Sequence, residues 1–218
     1  MKNLLISVLL LVNFISCSNK KTEMTENIFR NEYKELSQKI IDYYFSNMAQ
    51  KADERTQFIG NSLKKDRDFM LSLFSQDFSA SVFSSSTKYT SQKIDYCGIV
   101  DNDGNFLSES GINRNFFTAD ANGFEFINDS LWIIIKYKEE NFSALTATLV
   151  KNEDFDDLKN VLGKDILVLF NMSLTNSTIK IKNKSIVLNS DTLIIDEGKF
   201  ASILHSITDK IDVLVLTK

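Results

Sequence analysis

The rhythm of apolar and polar positions changes along the chain, and each change predicts a different kind of element. Leu4 to Ile15 form an almost unbroken apolar run behind Lys2. That run is too short for an ordinary membrane span of about 20 residues. Residues 18–25 are polar and without period, as a tether would be. Apolar positions then recur at Phe29, Tyr33, Leu36, Ile40, Tyr44, Met48, Ala52, Ile59, Leu63, Met70 and Phe74. Most steps are three or four residues, which is one face of a helix. A long helix is therefore expected over 27–75. Gly60 is its weak point, costing about 1 kcal/mol relative to Ala. So long a helix breaks near Gly60 and Asn61, or its first half projects or pairs with another helix.

Residues 77–92 are rich in Ser and Thr and read as a short helix followed by a loop. From Ile94 the period becomes two. Residues 94–110 predict strand, turn, strand, with Asp103-Gly104 at the turn because Gly accepts positive φ. A loop-rich connection is expected over 111–129, with strands over 131–138 and 144–150. A short helix over 154–162 is expected to be N-capped at or near Asn152 and to point Phe155, Leu158 and Val161 inward. Gly163 would end it. A strand over 165–171 follows, then short strands over 178–182, 185–188, 192–195, 201–207 and 211–216. Asn183-Lys184 would turn one hairpin. The fold class is α+β: a long N-terminal helix on a mainly antiparallel sheet spanning 94–217, in one domain over 27–218.

Composition narrows the picture. A formal net charge of −4 disfavours nucleic acid as a partner. Hydrophobic residues make up 43% of the chain, as in a folded globule. Proline is absent, where average usage gives about 11, so no helix carries a proline kink. The two cysteines are Cys17 and Cys97. The stretch from Lys2 through the apolar run reads as an export signal over 1–16. Phe14-Ile15-Ser16-Cys17 resembles the lipobox of bacterial lipoproteins, with Phe14 in place of the usual Leu. The resemblance implies that Cys17 is acylated and becomes the first residue of the mature chain, with 17–26 as a lipidated tether. More than one acyl chain gives stable membrane anchoring. Cys97 would then have no intrachain disulfide partner and reads as a small buried hydrophobe.

Two further segments carry a resemblance to a family. YCGIVDNDGNFLSES (96–110) resembles the hairpin that follows the long helix in the Cache group of extracytoplasmic sensor domains, near its PAS-like CHASE branch. SALTATLVKNEDFDDLKNVLGKDILVLFN (143–171) resembles the strand–helix–strand unit of the same group. The likeness implies a sensor domain with a pocket on the sheet face under residues 111–129. Tyr96, Trp132, Tyr137 and Arg114 would be ligand-binding residues there. The family's aromatic–Arg ligand motif is absent, because Arg114 is followed by Asn115 and Phe116. The family's second membrane helix is also missing from this sequence, so a sensor here would signal through a membrane-spanning partner, or as a homodimer through the N-terminal helix.

Residues that carry common catalytic chemistry do not assemble into a motif. His205 is the one histidine and lies in the apolar run ASILHSI, as a buried structural residue would. Asp101, Asp103 and Asn105 suggest a calcium loop, but Phe106 and Ile112 occupy its required Gly and Glu positions. Glu153, Asp154, Asp156 and Asp157 suit the start of a short helix electrostatically. No catalytic residue, metal or cofactor is expected. The sequence reads as a lipid-anchored, non-catalytic binding domain in the bacterial cell envelope. Ser18, which is not the Asp that retains many lipoproteins at the inner membrane, favours the outer one. The alternative is a structural or adhesive surface lipoprotein acting through protein contacts.

Overall fold

In the computed structural model the backbone is described for residues 2–75, 94–111, 117–182, 186–189, 192–195 and 198–217. Side chains are described from Arg30 onward in those segments, apart from 186, 189, 198 and 199. The expectations for residues 77–92, for Arg114, for the Asn183-Lys184 turn and for the Cys17 side chain lie outside them. The chain divides into two units, Met1–Asp42 and Tyr43–Lys218. Helix α1 spans Lys2–Lys65 and makes up the described part of the first unit. There Gln38 Nε2 donates to Asp42 Oδ1 at 2.8 Å, one helical turn on. The backbone is helical through 17–26, where polar composition predicted a tether. No Gly or Pro occurs before Gly60 to interrupt it.

In the second unit α1 does not break at Gly60. It ends at Lys65, and α2 (Arg67–Ser75) begins beyond Asp66. Asp66 is the reason. Its Oδ1 accepts the backbone N–H groups of Asp68 and Phe69, both at 3.0 Å, and so caps α2. Gly60 lies instead against the sheet. A Cβ there would stand 2.2–2.5 Å from the ring of Tyr137. The buried face of the helix carries Phe45, Ala52, Thr56, Ile59 and Leu63. Leu36 and Phe74 were expected on that face but are 59% and 70% exposed.

The strands form two antiparallel sheets rather than one. The first contains β1 (Tyr96–Val100), β2 (Phe106–Gly111), β3 (Gly123–Ile127), β4 (Ser130–Lys138) and β5 (Ser143–Leu149), in the order β2-β1-β5-β4-β3. β3 falls within the stretch expected to be a loop. The tight turn at Asn128 and Asp129, with φ of 49° and 55°, folds it onto β4. The Asp103-Gly104 hairpin is present. Gly104 has φ of +88°, and Asp101 Oδ1 accepts the N–H groups of Asp103 and Asn105 at 2.9 and 2.8 Å. These bonds hold the Asp101 carboxyl below its usual range, those from Asn105 most strongly.

A 3-10 turn, Asn152–Phe155, leads into α3 (Asp156–Leu162). Gly163 ends α3 in the left-handed region, φ 62°, as expected. The N-cap of the turn is Lys151, next to the expected Asn152, and Phe155 stands as the N-cap of α3. Phe155, Leu158 and Leu162 point inward, while Val161 is 68% exposed. The second sheet contains β6 (Ile166–Phe170), β7 (Ser173–Ser177), β8 (Ile186–Asn189), β9 (Thr192–Ile195), β10 (Gly198–Ser206) and β11 (Ile211–Thr217). Its order is β7-β6-β11-β10-β9-β8. The strand expected over 178–182 is replaced by β7. A left-handed pair at Asn171 and Met172 turns the chain at once, so the return strand starts at Ser173. β8 pairs with β9. Leu167, Leu169, Leu174, Leu193, Ile195, Leu214 and Leu216 form this sheet's core on one face. Among the described residues no helix is long and apolar enough to cross a membrane.

Candidate functional site

Alternation along β1, β4 and β5 sends successive side chains to opposite faces of the first sheet. Ile99, Tyr137 and Ala144 face the helices and pack with Ile59, Leu63, Phe69 and Phe142. Cys97 packs against the same cluster, and burial pushes its thiol up to about 12. Thr146 reaches Thr56 of α1, oxygen to oxygen 2.5 Å. The Thr56 hydroxyl donates to the Ala52 carbonyl at 2.8 Å, so Thr146 is the donor between them.

Of the residues expected to bind ligand, Tyr96 and Trp132 lie on the other face, both 1% exposed. Phe117 joins them, with ring centroids 4.3 Å from Tyr96 and 5.2 Å from Trp132. The Tyr96 hydroxyl donates to Glu109 Oε1 at 2.6 Å, and Trp132 Nε1 donates to the Ile127 carbonyl at 3.3 Å. Burial first, then the Glu109 carboxylate, holds the Tyr96 phenol well above its ordinary value. Their polar atoms are engaged and their rings pack against one another. Tyr137 is set apart on the helix face. Its hydroxyl donates to Glu139 Oε2 at 2.8 Å, and Asn61 Oδ1 lies 3.3 Å from the same oxygen.

A cleft of about 550 Å³ opens on the helix side of the first sheet. One wall is the α1 face bearing Tyr44, Met48, Lys51, Ala52 and Arg55, residues at helical spacing. The floor is Ile133 of β4, with Thr148 and Leu149 at the end of β5. The far wall is Lys151, Glu153, Asp154 and Asp157, at the 3-10 turn and the start of α3, and Asp95 closes one end. Several bonds fix these walls. The Tyr44 hydroxyl donates to the Asp154 carbonyl. Asp154 Oδ2 accepts the Lys151 N–H at 2.7 Å, and Asp95 Oδ2 accepts the Leu149 N–H at 2.8 Å. Asn152 Oδ1 accepts the Ser177 N–H at 3.0 Å, tying the turn to β7. Partial burial, then the carboxylates of Asp157, Asp154 and Asp156, raises the Tyr44 phenol.

The cleft gathers charges of both signs around a small apolar floor, and half of its lining side chains are charged, more than a typical small-molecule pocket carries. Lys51, Arg55, Lys151, Glu153 and Asp157 take part in no ion pair among the described residues. Arg55 and Thr148 are half-buried, and within the described part of the chain neither side chain has a hydrogen-bond partner. Among the described residues no group of His, Cys, Asp or Glu is arranged to hold a metal ion. Sequence reasoning placed the carboxylates of 153–157 at a helix start and missed that three of them also line a cleft. Lys51 and Arg55 carried a usable signal: they follow Tyr44 and Met48 on one helical face, where the apolar series gives way to cations. Asp95 and Thr148 carried none, because their place depends on strand register.

No family model matches the chain, and no curated protein matches it. It is similar to solved structures of the sensory domain of the Campylobacter jejuni chemoreceptor Tlp3. To one it has 8% identity and a TM-score of 0.49, covering 91% of this chain and 96% of that one. To the same domain with isoleucine bound the values are 7%, 0.45, 91% and 95%. To the ligand-binding domain in complex with L-valine they are 8%, 0.46, 91% and 95%.

Proposed function

We propose that this chain is a lipoprotein, held outside the cytoplasm in the bacterial cell envelope by acylation of Cys17. In this reading its folded part is a non-catalytic, sensor-like domain that binds a small ligand. The observation that carries the binding role is the cleft between α1 and the first sheet, with its half-buried, unpartnered Arg55 and Thr148. The anchoring rests on the export signal and on the residues before Cys17. Removal of 1–16, attachment at the outer membrane, and a signalling partner or homodimer through the N-terminal helix belong to the same reading. Purified full-length protein in detergent, screened by thermal shift against small metabolites, should show a rise in Tm with at least one. A ligand at 100 times its Kd stabilises by about 2.7 kcal/mol. Cells fed labelled palmitate should mark the wild-type chain and not Cys17→Ser. An unlabelled wild-type chain would end the anchoring half of the proposal.

A second reading has one observation in its favour. The face of the first sheet opposite α1 is filled by Tyr96, Phe117 and Trp132, as in a structural or adhesive lipoprotein that works through protein contacts. A metabolite screen without any shift, together with capture of one defined envelope protein on intact cells, would favour it.

A further inference from the structure

We propose that the cleft takes an uncharged, hydroxyl-rich ligand, a small saccharide. This deepens the small-ligand reading above and rests on it. Three cations, Lys51, Arg55 and Lys151, line the cleft together with four carboxylates, Asp95, Glu153, Asp154 and Asp157. The two signs are interleaved. Lys151 stands among the carboxylates of the far wall, and its N–H is bonded to Asp154. Asp95 is tied to Leu149 at the floor, and the bond from Tyr44 to the Asp154 carbonyl joins the α1 wall to the far one. A ligand with a net charge would gain at one of these groups and lose at its neighbours. A hydroxyl both donates and accepts, so a neutral polyol suits cations and carboxylates alike. It also enters without the cost of taking a ligand charge out of water.

The bonds such a ligand needs are available. Asp95 and Asp154 each commit Oδ2 to a backbone N–H, at 2.8 and 2.7 Å, which fixes the carboxylate and leaves Oδ1 for a hydroxyl. Arg55 and Thr148 are half-buried and have no partner among the described residues. In a merely solvated seam both would stand in full contact with water. The guanidinium fork can donate to two neighbouring hydroxyls, and the Thr148 hydroxyl can donate or accept. Hydrogen bonds to ionised groups are the stronger kind, so a neutral ligand is still held. Met48, Ala52 and Ile133 supply an apolar surface for the C–H face of a sugar ring. The volume, about 550 Å³, lies within the range of small-molecule sites. The site is on the helix side of the sheet, on the opposite face from Tyr96 and Trp132.

The test uses full-length protein in a detergent without a sugar headgroup. Calorimetric titration takes glucose, galactose and mannose, each beside its uronate and its amino sugar, with maltose and lactose added to the neutral set. At least one neutral sugar should bind, tenfold or more tighter than the uronate and the amino sugar of the same unit. Its affinity should hold between about 0.05 and 0.5 M salt, where screening would weaken a charged ligand. Arg55→Leu and Asp95→Asn should each weaken it tenfold or more, and Thr148→Val by a smaller factor. Circular dichroism identifies a variant that fails to fold; Lys51→Gln, at an exposed position, then serves in its place and should also weaken binding. Equal or tighter binding of a uronate or amino sugar would overturn the proposal, as would unchanged binding in the variants. Silence towards every sugar would overturn it too. If a metabolite of another class then raised the wild-type Tm, the small-ligand reading would stand without the saccharide; silence there as well would end both.

Discussion

At Gly60 a single missing side chain decides how closely helix and sheet approach. An added methyl would overlap the Tyr137 ring, at 2.2–2.5 Å from its carbons. Ala gains about 1 kcal/mol of helix propensity over Gly, but forced overpacking costs typically 1–3 kcal/mol. Gly60→Ala should therefore be neutral to destabilising by about 2 kcal/mol in denaturant unfolding. Pairing it with Tyr137→Leu should return part of the loss, because the overlapping ring is gone. Met172 is the reverse case. It is exposed and sits at φ 63°, which costs a non-glycine residue about 1–2 kcal/mol. Met172→Gly should stabilise by about 1 kcal/mol, read as a higher denaturant midpoint at unchanged slope. Neither position announced its role in the sequence. Gly60 read as a helix weakness because nothing local says that an aromatic from residue 137 lies over it, and Met172 is an unusual residue for a left-handed turn.

Among the elements, helix and strand identity were more legible than their ends. The three-and-four spacing from Phe29 onward marked the helix. The end of α1 was misplaced because Gly60 looked weaker than Asp66, whose cap appears only once α2 presents its free N–H groups. Asp66→Ala should cost about 1 kcal/mol through loss of that cap, and Asp66→Asn should retain most of it. β3 was hidden because Phe124, Glu125 and Phe126 are all half-buried, giving no clean alternation. The binding cleft was less legible still: its helix wall could be read from Lys51 and Arg55, but its floor and far wall come from strand register and a 3-10 turn. Another contact joins α1 to the end of β4. Glu139 accepts from Tyr137 and from Lys64, the latter at 3.0 Å, and these bonds lower its carboxyl below the ordinary range. A carboxylate lowered on folding stabilises above its unfolded pKa, about 4.3, and loses that contribution as pH falls through the folded value. The stability difference between wild type and Glu139→Gln should thus be present at pH 7 and shrink towards pH 3. A difference independent of pH would show that the carboxylate's charge is not involved.

Across the molecule, the second unit holds two sheets with separate cores, and several groups among the described residues bridge them. Phe126 of β3 stacks on Phe170 of β6, ring centroids 5.8 Å apart. Lys210 donates to Glu125 at 3.4 Å and lies 5.9 Å from the Phe170 centroid. Asn176 of β7 donates to the Val150 carbonyl at 3.0 Å. Lys210 and Glu125 are partly exposed, so their ion pair contributes less than about 1 kcal/mol; the aromatic stack carries more of the junction. The single tryptophan, Trp132, lies in the first sheet's core. Its fluorescence follows that sheet, whereas far-ultraviolet circular dichroism follows both. In the wild type the two signals should trace one coincident transition in denaturant, as two-state unfolding requires. Phe126→Ala with Lys210→Ala removes the stack, the ion pair and the cation–π contact together. The fluorescence and dichroism midpoints should then separate, because each sheet retains its own core but has lost its neighbour's support. Coincident curves in the double variant would mean that the sheets are coupled through other contacts, with Asn176 and the turn at Asn152 the next to be cut.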